Sequence, residues 1–137
     1  MVIRDIMSDP AVAIGKDTSV CETANVMREY NIGAVPVVDS NDNVVGIVTD
    51  RDIVIRNTAR GLDPKTTSIS DIMSENVTVV SPDAEIDDVA DMMSRDKVRR
   101  IPVVENSKVI GVVALSDVAL CRDYKIECAR ALCEISK

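Results

Sequence analysis

Asp5-Ile6-Met7-Ser8 recurs 66 residues later as Asp71-Ile72-Met73-Ser74, and this repetition decides how the chain is organised. Pro36-Val37-Val38-Asp39 recurs at the same offset as Pro102-Val103-Val104-Glu105. A third apolar segment repeats 65 residues on, so one residue has been lost in the polar turn that precedes it. Turns tolerate such changes of length better than strands do. The sequence therefore predicts two copies of one structural unit.

Each copy follows the pattern strand, helix, strand, strand, helix. In the second copy Ile86, Val89, Ala90 and Met93 share one helical face, and Val20, Ala24 and Met27 form the matching stripe in the first. Ser19 and Glu22 have the spacing of a capping box at the start of that first helix. The predicted strands are residues 11–14, 34–38 and 44–49 in the first copy and residues 77–80, 101–104 and 109–114 in the second.

We expect an α+β fold in which two β-α-β-β-α units pack sheet to sheet. A three-stranded sheet with two helices buries too little surface to be stable alone. The copies should therefore face each other across a pseudo-two-fold axis, leaving two symmetric clefts at their seam. The predicted boundaries within a single module of residues 1–137 are repeat one at about 3–60, a linker at about 57–70, repeat two at about 69–120 and a C-terminal helix at about 116–136.

Composition excludes several classes of function. The net charge of −7 disfavours nucleic acid and anionic membranes, and no apolar run approaches the ~20 residues that span a bilayer. The chain has no histidine, and its four cysteines form no C-x-x-C pair. No nucleophile and base, metal-ligand cluster or phosphate loop is recognisable. We expect a cytoplasmic protein that is not an enzyme, with no catalytic residues, no metal and no tightly bound cofactor.

The segment from Gly46 to Asp52 is the first candidate for a binding site. Thr49 and Asp52 have the spacing of a capping box, yet a carboxylate there could also accept hydrogen bonds from a ribose diol. In the second copy Asp117 remains, but Ala114 replaces the threonine. A cap in that copy would be weaker, and so would a binding site, unless Ser116 supplies a hydroxyl.

Two further features allow two interpretations each. Pro36 and Pro102 cannot donate to a sheet, so each strand should bulge or end its pairing there, either at a sheet edge or where a ligand approaches. Arg99 and Arg100 form either a solvated basic edge or, in an acidic protein, a phosphate site.

The paired pattern of Asp-Ile-Met-Ser, x-x-x-Pro-Val-Val-Asp and Gly-Ile-Val-Thr-x-x-Asp closely resembles the cystathionine-beta-synthase (CBS) domain family, over residues 3–120. Two such domains in tandem form a Bateman module. The resemblance implies a non-catalytic regulatory module that binds adenosine-containing ligands of the AMP, ADP and ATP class, with AMP the expected nucleotide. We expect no attached effector domain, so output would pass to an unidentified protein partner in trans, and such modules usually form homodimers.

The resemblance also implies which residues enclose the ligand. The aspartate that ends each motif would hold the ribose, and each cleft would take its aspartate from one repeat and its adenine pocket from the other. The favoured cleft comprises Thr49, Arg51, Asp52, Val77, Thr78, Arg99, Ile101 and Pro102. The weaker cleft comprises Ala11, Val12, Gly33, Val35, Pro36, Ser116 and Asp117.

The alternative is a scaffold or dimerisation protein that keeps the fold without binding a ligand, which Ala114 and the lack of histidine favour. The tail lies outside the resemblance. Its apolar stripe, formed by Cys121, Tyr124, Cys128, Leu132 and Ile135, either docks on its own module or makes a dimer contact.

Overall fold

A computed structural model describes residues 1–8, 12–121 and 125–136, with the side chains of residues 125–128 left out. The chain forms two compact units. The repeat-one unit spans Val12–Val77. The repeat-two unit joins the N-terminal segment to the chain from Thr78 onwards. Ala11, Tyr124 and the Cys128 side chain, named above, lie outside the described residues.

The repeat-one unit contains a three-stranded sheet in the order β1-β2-β3. Strands β1 and β2 are parallel, with Ile14 opposite Val37, and β2 and β3 are antiparallel. Its elements in chain order are β1 (Ile14–Gly15), α1 (Val20–Tyr30), β2 (Ala34–Val38), β3 (Val44–Thr49), α2 (Asp50–Ile53), a π-helical turn (Val54–Thr58) and a 3-10 turn (Ile69–Asp71).

The repeat-two unit has the same plan. Its antiparallel strands β4 and β5 correspond to β2 and β3, and a parallel bridge between Val80 and Val103 stands where β1 pairs with β2. Its elements are a 3-10 turn (Ile3–Asp5), α3 (Ile86–Asp96), β4 (Arg100–Glu105), β5 (Lys108–Ala114), α4 (Leu115–Ala119) and α5 (Lys125–Ile135). The α+β class is confirmed. The predicted C-terminal helix is divided into α4 and α5.

Local sequence explains the limits of α1 and α3. The Glu22 N–H donates to Ser19 Oγ at 3.1 Å, which caps the start of α1. Both helices end at a residue in the left-handed conformation, Asn31 (φ 53°) and Lys97 (φ 56°). The predicted stripe of α3 is buried throughout, but on α1 Ala24 is exposed and Thr23 is buried instead.

Each Asp-Ile-Met-Ser segment forms an isolated bridge to a strand of the unit that contains it. Ser8 pairs with Val112 of β5, and Ser74 pairs with Ile47 of β3. Gly46 permits the second contact, because a Cβ at that position would lie 2.9 Å from the Ser74 carbonyl oxygen. Each compact unit thus contains most of one sequence repeat together with the Asp-Ile-Met-Ser segment that begins the other repeat.

The two prolines limit the parallel side of each sheet. The Val80 N–H donates to Pro102 O, and the Val104 N–H donates to Val80 O. Continuing this ladder towards Thr78 would require an N–H at position 102, which proline lacks. On the antiparallel side Pro36 and Pro102 stay paired, with Ile47 and Val112, and the register shifts one residue later, after Val37 and Val103. The expected disruption thus lies close to the prolines: the parallel bridge does not extend past Pro102, and the antiparallel bulge comes one residue after each proline.

Candidate functional site

Asp52 is held at the start of α2 by a complete capping box. Its N–H donates to Thr49 Oγ1 at 3.1 Å, and the Thr49 N–H donates to Asp52 Oδ2 at 3.0 Å. The carboxylate is 16% exposed. The capping interpretation is thus confirmed for this pair. Only Oδ2 accepts the capping bond, so the carboxylate retains a second oxygen, Oδ1, for another partner.

Arg56 is a residue of this site that sequence reasoning missed. Its Nε lies 3.9 Å from Asp52 Oδ1, and its Nη1 donates to the carbonyl oxygens of Ile72 and Met73 at 3.0 and 3.2 Å. The guanidinium therefore links the Asp52 carboxylate to the second Asp-Ile-Met-Ser segment. The i,i+4 spacing from Asp52 was a visible signal, but the carbonyl partners were not.

The other predicted residues of the repeat-one unit lie on α2, at or within β2, or outside the named elements. Arg51 is exposed on α2, and the Asp50 N–H donates to Gly33 O at 3.0 Å, which ties the start of α2 to the start of β2. Val35 and Pro36 are buried in β2. Val12 and Val77 are half-buried.

In the repeat-two unit the corresponding cap is incomplete. The Ala114 N–H donates to Asp117 Oδ2 at 2.8 Å, but alanine has no side-chain oxygen to accept the return bond. Asp117 is half-buried, and Ser116 is exposed beside it. The alanine thus removes one of the two bonds that fix the aspartate in repeat one.

Arg99 and Arg100 lie in a pocket of about 390 Å³ next to that cap. The pocket is also lined by Leu115 and Ser116 of α4 and by Leu132 of α5. Both arginines are exposed, and neither makes an ion pair with another described residue. The Leu115 N–H donates to Arg99 O at 2.8 Å, which fixes the backbone beneath the two cations.

The Thr78 side chain is hydrogen-bonded to a residue of its own unit. Its Oγ1 donates to Asp96 Oδ2 at 2.8 Å, and this bond, with the nearby Arg95 guanidinium, holds the pKa of the Asp96 carboxyl below its usual value. Because this bond uses the single hydroxyl hydrogen, the Thr78 oxygen can only accept a hydrogen bond from a further group. Ile101 and Pro102 are buried in β4.

The tail docks at least partly on its own unit. Cys121 and Ile135 pack against the repeat-two core, and Ala131 is buried in it. Leu132, expected on the apolar stripe, is 49% exposed. Among the described residues no three cysteine or carboxylate side chains are grouped so as to hold a metal ion, and no helix is long and apolar enough to cross a membrane.

The favoured set of site residues divides between the units. Thr49, Arg51, Asp52 and Val77 belong to the repeat-one unit, and Thr78, Arg99, Ile101 and Pro102 belong to the repeat-two unit. Their combination in one cleft remains a prediction.

Comparison with known proteins identifies related chains. The CBS domain model matches residues 3–56 and again residues 69–122. Hypoxic response protein 1 of Mycobacterium tuberculosis is 35% identical over 116 residues, which cover 85% of this chain and 81% of that protein. A crystal structure of Hypoxic Response Protein I with two coordinated zinc ions has a TM-score of 0.81 at 34% identity, covering 88% of this chain and 98% of that one. The CBS domain pair of protein MJ0100, in complex with 5′-methylthioadenosine and S-adenosyl-L-methionine, has a TM-score of 0.80 at 30% identity and covers 91% of this chain and 98% of that one.

Proposed function

Because the chain belongs to the CBS domain family and carries two such domains in tandem, which form a regulatory module, we propose that it binds an adenosine-containing ligand between its repeats and signals to a protein partner in trans. The ligand class follows from the MJ0100 pair, whose two ligands, 5′-methylthioadenosine and S-adenosyl-L-methionine, share an adenosine group. The module itself carries out no reaction.

The observation that carries this proposal is the state of the Asp52 carboxylate. One oxygen is fixed by the Thr49 N–H, and among the described residues the other has only the distant contact with Arg56 at 3.9 Å. A ribose diol could donate to that second oxygen, and a hydrogen bond to a charged acceptor contributes about 1.5–3 kcal/mol. The fixed carboxylate would lose little side-chain entropy on binding.

A phosphate on the ligand would be recognised by arginine. Arg99 and Arg100 have no ion-pair partner among the described residues, although the chain carries a net charge of −7. Unpaired guanidinium groups favour phosphate, because they can donate two hydrogen bonds to it. We therefore propose AMP as the ligand and the Asp52 cleft as the stronger site, since the Asp117 side has an incomplete cap.

The proposed route of signalling is through a homodimer or a partner protein. Val54 and Ile55, on the π-helical turn after α2, are 59% and 46% exposed. Adjacent exposed aliphatic side chains suit a protein contact. A ligand that binds one arrangement of such an assembly more tightly would shift its population towards that arrangement.

The test is a thermal-shift series with AMP, ADP, ATP and S-adenosylmethionine. A ligand at a hundred times its Kd adds about 2.7 kcal/mol, which raises the Tm by several degrees in a domain of this size. Asp52→Ala should abolish the AMP-induced shift. Ser19→Ala is the matched control, because it also removes a helix-capping bond in the same unit and leaves the predicted cleft residues in place.

If none of the four ligands moves the Tm, the alternative of a ligand-free scaffold is favoured. If Asp52→Ala and Ser19→Ala reduce the AMP shift equally, the carboxylate has no specific role in binding.

A further inference from the structure

Asn57 carries a buried hydrogen-bond donor that has no partner in the part of the chain described. The residue is 1% exposed, and its Nδ2 makes no hydrogen bond there. Thr23, which is also a buried polar side chain, donates from Oγ1 to Ser19 O at 2.9 Å. Buried donors are nearly always satisfied, so an amide left without an acceptor indicates a position where something else supplies one.

The backbone around Asn57 is unusual as well. Residues Val54–Thr58 form a π-helical turn, and such turns often occur at functional sites. The Asn57 carbonyl accepts a hydrogen bond from the Leu62 N–H at 3.1 Å, which brings the following loop back beside the turn. The backbone that carries the Asn57 side chain is therefore tied to this loop.

A pocket of about 490 Å³ lies against this turn and includes Asn57 in its lining. Its other walls are mainly apolar, from Val20, Ala24, Ile53 and Leu62, with the Cys21 thiol among them. Within the described ranges, no residue with a carboxylate, ammonium or guanidinium group lines it. Thr58 adds a hydroxyl group. This volume lies in the range of small-molecule sites, and apolar walls with a few polar groups are typical of them.

The second repeat indicates that this groove can be filled. Ala90 of α3, the counterpart of Ala24, is 1% exposed and shares a core cluster with Ala131 of α5. Ala24 is exposed. The helix that covers the repeat-two groove thus has no counterpart among the described residues of the repeat-one unit.

We propose that the pocket formed by α1, the π-helical turn and the loop at Leu62 binds a small neutral molecule with an apolar body and one carbonyl group. The Asn57 amide donates from Nδ2 to the carbonyl oxygen, and Val20, Ala24 and Ile53 contact the apolar part. The absence of charge in the lining selects against nucleotides, so this site is separate from the one proposed for AMP.

The experiment follows the Asn57 side-chain amide in ¹H–¹⁵N spectra of the full chain, with cyclohexanone as probe and methylenecyclohexane as the shape-matched control without an acceptor. Cyclohexanone should shift the Asn57 Nδ2–H signals and the Ala24 backbone signal saturably. Methylenecyclohexane should bind about tenfold more weakly, as expected for one missing hydrogen bond. Asn57→Leu should make the two probes bind alike, and Ala24→Phe, which fills the pocket from an exposed position, should abolish both.

The proposal is overturned if saturating cyclohexanone leaves the Asn57 signals unmoved, or if Ala24→Phe binds it unchanged. It is also overturned if these signals move with protein concentration alone, which would identify a second copy of the chain as the occupant.

Discussion

Ser74 and Ile47 exchange two backbone hydrogen bonds: the Ser74 N–H donates to Ile47 O at 2.9 Å, and the Ile47 N–H donates to Ser74 O at 3.0 Å. Ser8 and Val112 form the equivalent pair, at 2.9 and 3.2 Å. The repeated Asp-Ile-Met-Ser motif is therefore an edge segment that extends a sheet beside a glycine, Gly46 in one unit and Gly111 in the other.

Gly46→Ala should destabilise the protein by about 1–3 kcal/mol, the usual effect of overpacking. The added Cβ would meet the Ser74 carbonyl oxygen at 2.9 Å and the Met73 side chain, and the backbone oxygen cannot move without weakening the pair with Ile47. Urea unfolding followed by circular dichroism measures the loss.

Gly15→Ala is the matched control, because its Cβ would meet only Thr18 Oγ1, at an ordinary 3.8 Å. Gly111→Ala should resemble Gly46→Ala, since the Ser8 carbonyl oxygen would lie 2.6 Å away. Equal stabilities for the Gly46 and Gly15 variants would mean that the segment is not held closely against β3.

Much of the fold was predictable because its signals are local. Strands β2 and β3 have the predicted limits; β4 is one residue longer than predicted at each end, and β5 is one residue longer at its start. The apolar stripe of α3 is buried as its spacing indicates. The Thr49–Asp52 cap was predictable for the same reason, since both partners lie within one turn.

The remaining features depend on partners distant in sequence. Nothing in the spacing of Asp71–Ser74 shows that it pairs with β3, or that Arg56 donates to the carbonyls of Ile72 and Met73. The exposure of Ala24 depends on whether another helix covers it, and its counterpart Ala90 has the same sequence signal and is buried. Periodicity reports which face of a helix is apolar, and tertiary contacts decide how much of that face is covered.

Ala114→Thr should stabilise the repeat-two unit by about 1 kcal/mol. The new hydroxyl would accept from the Asp117 N–H and complete a capping box in which the Asp117 carboxylate already accepts from the Ala114 N–H. Chemical denaturation gives the difference. Ala114→Val is the control, because valine has the shape of threonine and no acceptor. A gain shared by both variants would arise from packing or strand propensity, not from the cap.

If the proposed AMP site is correct, Arg99→Ala should weaken AMP binding about tenfold or more and leave adenosine binding unchanged, because the guanidinium contacts only the phosphate. Isothermal titration with both ligands measures this. Arg28→Ala, an exposed cation in the last turn of α1, controls for the change in net charge. Equal losses for AMP and adenosine would contradict the phosphate role of Arg99.

Thr78→Val should raise the pKa of Asp96. The Thr78 hydroxyl is the main cause of the lowered pKa of this carboxyl, and the Arg95 guanidinium, 3.3 Å from Asp96 Oδ1, is the second. A pKa lowered by folding stabilises the protein above the unfolded aspartate value of about 3.9, and that contribution is lost as the pH falls through the folded value.

The variant should therefore be less stable than the parent at pH 7, with the part of the difference that depends on ionised Asp96 disappearing in acid. Carbon-detected NMR titration of the Asp96 carboxyl measures the pKa directly. Asp39 is an internal control in the same spectra, because its pKa is lowered chiefly by the Asn43 backbone N–H, far from Thr78 in sequence and in the other unit. An unchanged Asp96 titration would show that Thr78 does not donate to it in solution and that its hydroxyl is available as a donor to a ligand.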